Sequence, residues 1–193
     1  ATAKVVLNEK DKAYVDVTDN LTFLKDNSFI WTSEKDGFNQ IYHYAKTGKL
    51  INQITKGNWE VTNYYGFNEK TGTIFYQSTE NGSINRDVYS VKLTGKDKKR
   101  LTELTGTNSA TFSPNFEYFI NSFSSAKNAP KHTLHETKTG KLVKTIVSNE
   151  ALESKLAKYD LPTKEFFVLT TEKGNQLNAW IIKPKDFDPN KKY

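Results

Sequence analysis

The chain has 193 residues, with 28 Lys and Arg against 22 Asp and Glu, for a net charge of +6 at pH 7. The basic residues are scattered, the longest run being Lys98-Lys99-Arg100, which argues against nucleic acid, whose partners cluster charge on one face or arm. With 36% hydrophobic residues, including 12 Phe, 10 Tyr and 3 Trp, the chain can bury a core, yet no apolar run approaches the roughly 18 residues that read as a membrane span.

The first three quarters read as short strands. Ala3-Lys4-Val5-Val6-Leu7-Asn8 is expected to be the outer strand of a unit whose other strands are missing, with a connection running on to residue 20. Phe29-Ile30-Trp31, Gln40-Ile41-Tyr42-His43-Tyr44 and Leu50-Ile51-Asn52-Gln53-Ile54 follow, separated by Lys35-Asp36-Gly37 and Lys46-Thr47-Gly48-Lys49. Aromatic and β-branched runs bounded by Gly, Asn and Asp are the signature of strands and hairpins.

These strands repeat as a group. Phe23, Phe67 and Phe112 open three units spaced 44 and 45 residues apart. In each unit an aromatic strand is expected to end in a small polar loop (Thr32-Ser33-Glu34, Ser78-Thr79-Glu80, Ser122-Phe123-Ser124-Ser125). A strand such as Val88-Tyr89-Ser90-Val91 comes next, then a Thr-Gly-Lys turn (Thr47-Gly48-Lys49, Thr94-Gly95-Lys96, Thr139-Gly140-Lys141). A last strand closes the unit, over 50–55, 99–102 and 142–147. Four strands in about 44 residues is the period of a β-propeller blade, and the recurrent Gly suits a hairpin turn that needs positive φ. A β-sandwich with coincidental spacing is the alternative.

After Val147 the pattern changes. Ser148-Asn149 is placed to cap a helix in which Leu152, Leu156 and Tyr159 share one face, and Asp160-Leu161-Pro162 is expected to stop it. Two strands, Glu165 to Thr170 and Leu177 to Ile182, are joined at Glu172-Lys173-Gly174-Asn175. The chain ends in Asp188-Pro189-Asn190-Lys191-Lys192-Tyr193, which reads as a linker to a further domain. The expected organisation is therefore a last strand and connection over 1–20, three blades over 21–148, a helix and linker over 149–163, and lead-in strands over 164–193. With no Met and no apolar segment behind a basic cap, the chain reads as an excised or processed product without a signal peptide.

Chemistry-bearing motifs are scarce. There is no Cys, hence no disulfide, thiolate zinc site or Cys nucleophile. The three His are His43, His132 and His135; the last two stand at i and i+3, on opposite faces of a strand, so no metal site is expected, and no cofactor. Gly-x-Ser-x-Gly, the elbow that exposes a nucleophilic Ser, occurs nowhere, so no catalytic residue is expected in this chain. Trp59 is expected to pack between blades, Glu60 to pair with a nearby Lys or Arg, and Arg86 to make a local ion pair or backbone contact.

Lys56-Gly57-Asn58-Trp59-Glu60-Val61, Asp36-Gly37-Phe38-Asn39-Gln40-Ile41-Tyr42 and Arg86-Asp87-Val88-Tyr89-Ser90-Val91 resemble elements of the dipeptidyl peptidase IV branch of the prolyl oligopeptidase family. So do Leu161-Pro162-Thr163-Lys164-Glu165-Phe166-Phe167, the stretch from Gly174 to Pro184, and Phe187 to Tyr193. The resemblance runs from about Tyr14 to the end. It implies an all-β partial propeller of about three four-stranded blades, then a short helix and a two-strand hairpin leading to a missing α/β-hydrolase domain. It also implies a periplasmic or secreted serine exopeptidase that releases dipeptides ending in Pro or Ala from peptide N-termini. The Ser-Asp-His triad would lie in the missing domain, leaving this chain as scaffold, pocket wall and gate, inactive by itself. The loop Tyr14-Val15-Asp16-Val17-Thr18-Asp19-Asn20 resembles the family's pocket-lining loop, which makes Tyr14, Asp16 and Asp19 the candidate substrate-binding residues.

The competing reading is a stand-alone propeller that binds a protein or glycan, which would not need the strands after residue 164. An arc of three blades leaves two blade faces uncovered, and large apolar patches are rarely left exposed; a homo-oligomer, in the simplest case a symmetric dimer, is expected.

Overall fold

The structure, a computed structural model, describes residues 3–159 and 161–192. Ala1, Thr2, Asp160 and Tyr193 lie outside the described residues, and with them part of the expected helix stop at Asp160-Leu161-Pro162 and the last linker residue.

Three four-stranded antiparallel meanders follow one another in chain order. Blade 1 comprises β1 (Thr22–Phe23), β2 (Phe29–Ser33), β3 (Gln40–Tyr44) and β4 (Leu50–Gln53); blade 2 comprises β5 (Val61–Asn68), β6 (Thr73–Ser78), β7 (Asp87–Lys92) and β8 (Lys99–Arg100). Blade 3 comprises β9 (Thr107–Phe112), β10 (Tyr118–Ser124), β11 (Lys131–Glu136) and β12 (Leu142–Val147). A short helix α1 (Glu150–Leu156) leads to a separate hairpin, β13 (Lys164–Thr170) with β14 (Gln176–Ile182). This is the partial propeller that the repeat predicts.

The blades stack through alternate side chains, because successive residues of a strand point to opposite faces. In blade 2, Ile74, Tyr76, Tyr89 and Val91 join Ile30, Ile41 and Ile54 of blade 1 in one cluster. Their neighbours Phe75 and Val88 turn the other way, onto Ala110 and Phe119 of blade 3. Blade 2 is thus apolar on both faces, which is why its strands read as nearly continuous hydrophobic runs. Each fully buried Ile or Val of this kind contributes about 1.5–3 kcal/mol relative to an exposed one. The free face of blade 1 gathers Phe29, Tyr42 and Tyr44 under Leu7 and Trp31.

Polar groups finish each seam at one end of the blades. Asn39 accepts from the Val61 amide at 2.8 Å and returns its side-chain amide to the Val61 carbonyl at 2.8 Å. In the next seam the Arg86 amide donates to Gly106 O at 2.9 Å and Arg86 O accepts from the Asn108 amide at 2.8 Å. Under that bridge Asp87 is completely buried. Its Oδ1 accepts from Arg100 Nη2 (2.9 Å), Thr102 Oγ1 (3.0 Å) and Asn108 Nδ2 (3.1 Å). Asp87 Oδ2 and Arg100 Nε are buried without a partner among the described residues; they are the two atoms that a side-on bidentate pair would join.

Several expectations need correction. The last strands of blades 1 and 2 are shorter than expected. Thr55 and Thr102 leave the ladder and turn their hydroxyls onto the Ile41 and Val88 amides instead, at 2.9 and 3.1 Å. β10 extends through Ser122, Phe123 and Ser124, which were expected in a loop. Residues 3–8 form no strand among the described residues, since no neighbouring strand pairs with them. Their position is nonetheless that of an outer strand: a Cβ on Gly48 would meet Val6 O, as one on Gly95 would meet Ile54 O and one on Gly140 Leu101 O. Asn149 does occupy the helix N-cap, but in the αL conformation and without a side-chain cap bond, because its amide donates to Pro130 O at 2.5 Å. Tyr159 lies beyond the helix.

Two predictions follow from this packing. Gly48 has φ +85° and Val6 backbone against it, whereas Gly37 has φ +97° and open space. Gly48→Ala should cost about 2 kcal/mol or more and free residues 3–10 to proteolysis, while Gly37→Ala costs only its backbone strain of about 1–2 kcal/mol; urea unfolding with limited proteolysis compares the two. His43 is buried, bonded through Nε2 to Ser28 Oγ at 2.9 Å. Burial holds its pKa below the ordinary imidazole value, against the smaller opposing pulls of Asn52 and Asp26. The unfolded chain therefore binds more protons, and stability should fall as pH drops through the imidazole range. The Ser28 hydrogen bonds lower the Asp26 pKa, so the loss it contributes comes only at more acid pH. Urea midpoints across pH should show the first loss, and His43→Gln should remove it.

Candidate functional site

The loops between second and third strands, residues 34–39, 79–86 and 125–130, lie at one end of the blades, where the seams are bridged. Two further pieces of chain meet that end. The hairpin reaches it through Asn178 Nδ2, which donates to Ser83 Oγ at 2.7 Å. The connection before β1 reaches it through Thr18 and Asn20, whose side chains lie 3.3 and 3.2 Å from Thr32 Oγ1, near the end of β2. Residues 14–20 and the β13–β14 hairpin therefore share one end of the arc.

Around that connection are two adjoining cavities. One, of about 440 Å³, is mainly apolar and includes Val15, Asp16, Val17, Phe23 and Trp31 in its wall. The other, of about 470 Å³, is more polar and is lined by Asp16, Glu9, Glu34, Lys35 and Tyr44 among others. Of the three candidates, Asp16 borders both. Tyr14 is 72% exposed and Asp19 is exposed, its carbonyl taking the Leu21 amide at 2.7 Å; neither lines either of these two cavities.

Tyr44 is the aromatic residue in the wall of the polar cavity, with Tyr42 buried behind it. Lys35 Nζ donates to Tyr44 OH at 3.0 Å and stands 4.0 Å from the Tyr42 ring centroid. Tyr42 OH donates to Asp36 Oδ2 at 2.8 Å; burial first and this acceptor second push its pKa upward, so it remains a donor. Glu9 Oε1 and Trp31 Nε1 are buried in these walls without a partner among the described residues. Sequence reasoning missed Glu9 and Lys35, since Asn8-Glu9-Lys10-Asp11-Lys12 and Glu34-Lys35-Asp36 look like ordinary solvated charge runs.

Other singled-out residues fall elsewhere. Trp59 packs at the seam of blades 1 and 2, stacked on Tyr76 with centroids 6.3 Å apart. Glu60 makes no ion pair among the described residues; its backbone amide binds Thr79 Oγ1 at 3.1 Å, and Lys98, whose ammonium stands over the Trp59 ring, pairs with Glu80 instead. That corrects the expected partner. Arg86 makes the expected backbone contacts, to Ser83 O and Asn85 O at 3.0 and 2.9 Å. His132 Nδ1 lies 2.9 Å from Ser122 Oγ, and His135 bonds Gly140 O and Thr133 Oγ1 at 2.9 and 2.8 Å.

Comparison with known proteins places this geometry. A family model described as the dipeptidyl peptidase IV (DPP IV) N-terminal region matches residues 1–130. Dipeptidyl peptidase 4 of Trichophyton rubrum is 36% identical over 171 residues, which cover 86% of this chain and 22% of that protein. The enzyme of that name from Trichophyton equinum is 32% identical over 200 residues, covering 97% of this chain and 25% of that protein. The crystal structure of Porphyromonas gingivalis dipeptidyl peptidase 4 superimposes with a TM-score of 0.91 at 41% identity, over 98% of this chain and 27% of that one. This chain thus spans about a quarter of the length of these relatives. With most of its length matched by the family model and its blades superimposed on a solved relative, the chain belongs to the dipeptidyl peptidase IV N-terminal region family.

Proposed function

We propose that this chain is the propeller portion of a dipeptidyl peptidase IV-like serine exopeptidase, one that removes X-Pro or X-Ala dipeptides from peptide N-termini in the periplasm or outside the cell. Residues 1–20 and 21–148 would supply the blades and their connection. Residues 149–163 would form the crossing, and residues 164–193 would lead into a hydrolase domain carrying the Ser-Asp-His triad. The carrying observation is that the 14–20 connection, with Asp16 facing two cavities, and the β13–β14 hairpin share one end of the blades. A domain continuing from the hairpin would then stand over those cavities.

The division of labour has a physical logic. A propeller over a hydrolytic site admits only short or unfolded peptides. Carboxylates on its rim hold a peptide's α-amino group, and that positioning fixes where the chain is cut. Asp16 suits a contribution of this kind, with Tyr14 and Asp19 on the outer approach. The exposed apolar residues of blade 3 and the hairpin, such as Ile146, Phe166 and Trp180, favour association with a further domain or a second copy.

The intact mass of the source polypeptide, read beside cleavage of a Gly-Pro chromogen, tests this. A longer polypeptide containing these residues should cleave the substrate and the 193-residue chain should not. In the longer form Asp16→Asn should lower kcat/KM about tenfold, mainly through KM. A native product of this length with no cleavage would favour the stand-alone binding module instead.

A further inference from the structure

Beneath the β13–β14 hairpin is a separate cavity of about 480 Å³, walled by the ends of blades 2 and 3 and by the start of β13. Lys127, from the β10–β11 loop, and Lys164, from β13, both line it, and no Asp or Glu does among the described residues. Neither ammonium has a carboxylate partner among the described residues. The Lys164 ammonium lies 4.4 Å from the Trp180 ring centroid, an attraction that leaves its charge in place. Thr105, Thr107 and Ser124 add hydroxyl groups to the same wall. Gly106 keeps that wall tight: its φ is +149°, and a Cβ there would come within 2.6 Å of Ser124 O, so the 105–107 turn lies flush against the end of β10.

Lys127 is exposed and Lys164 half-buried; two like charges on one concave wall repel each other, and an anion relieves both. Ammonium and hydroxyl donors together are the donor set for a carboxylate, bound by charge-assisted hydrogen bonds. Ile84 and Phe166 give the same cavity an apolar side, which suits a peptide bearing the carboxylate better than a bare inorganic ion. A volume of this size accommodates a few residues. From this we infer that the cavity under the hairpin binds a peptide carboxylate, either the C-terminal group or an acidic side chain. The choice of a peptide rests on the peptidase reading above; the anion site itself does not.

The test is an NMR titration of the 193-residue chain with three probes: N-acetyl-Ala-Ala-Ala as the free acid, the same peptide as its amide, and N-acetyl-Ala-Asp-Ala-amide. The free acid, the Asp peptide or both should bind saturably, with Kd on the order of 1 mM, and shift the Gly106 amide. The plain amide should not bind, and the acid-bearing probe that binds identifies the carboxylate's source. K127Q/K164Q should weaken that binding about tenfold. K46Q/K49Q, which removes two charges from the far turn of blade 1, should leave it unchanged; dispersed spectra confirm that each variant is folded, and added salt should weaken the wild-type interaction. Equal binding of acid and amide, equal losses in the two double variants, or no saturation would each overturn the inference. Because binding is read on this chain without catalysis, carboxylate binding alongside a longer polypeptide that fails to cleave the Gly-Pro chromogen would discard the peptidase reading and keep the anion site.

Discussion

The constraint on which everything else depends is the two-sidedness of the middle blade. Ile74 and Phe75 are adjacent residues buried against different neighbours, as are Val88 and Tyr89. A four-stranded sheet with both faces apolar cannot stand alone in water, so blade 2 requires both partners. Register then follows, since a slip of one residue in β6 would exchange its two faces and clash with both neighbours. Blade 3 has only one such face satisfied within this chain, its other side carrying exposed Tyr118 and Ile120, whereas the outer face of blade 1 is covered where Leu7 and Trp31 pack over Phe29, Tyr42 and Tyr44.

Apolar stacking leaves the rotation of one blade against the next loosely fixed. The polar seams at one end fix it: Asn39 with Val61, Arg86 with Asn108, and Asp87 beneath. A carboxylate buried as deeply as that of Asp87 is tolerated only because Arg100, Thr102 and Asn108 converge on it. The same end receives the 14–20 connection and the hairpin, so the rigid part of the arc and its candidate sites coincide. Rigid supports with functional groups on the loops they hold are a general arrangement.

How much of this was legible in sequence depends on the range of the interaction. The blade repeat was legible because it is written locally, in aromatic strands and a Thr-Gly-Lys turn whose Gly takes positive φ in all three blades. The helix and its N-cap position were legible, but the absence of a side-chain cap bond was not, because the Asn149 side chain answers to Pro130, a residue distant in sequence. Residues 3–8 carry strand-like composition, yet a ladder is a property of two strands, and composition cannot supply the second. Asp16 was named through a resemblance to a family loop. Glu9, Lys35 and Trp31, which share its cavities, come from three separate segments with no motif between them. Asp87 and Arg100 looked like two more scattered charges; only the fold brings them into contact.

Amide hydrogen exchange tests the central claim, that blade 2 is the doubly supported centre of the arc. Exchange should be slowest in β6 and β7, intermediate in β2, β3 and β10, and fast in β12 and the β13–β14 hairpin, whose faces are open. Protection in the hairpin or in β12 equal to that of β6 and β7 would contradict it, because it would mean that stability does not come from stacking blade against blade.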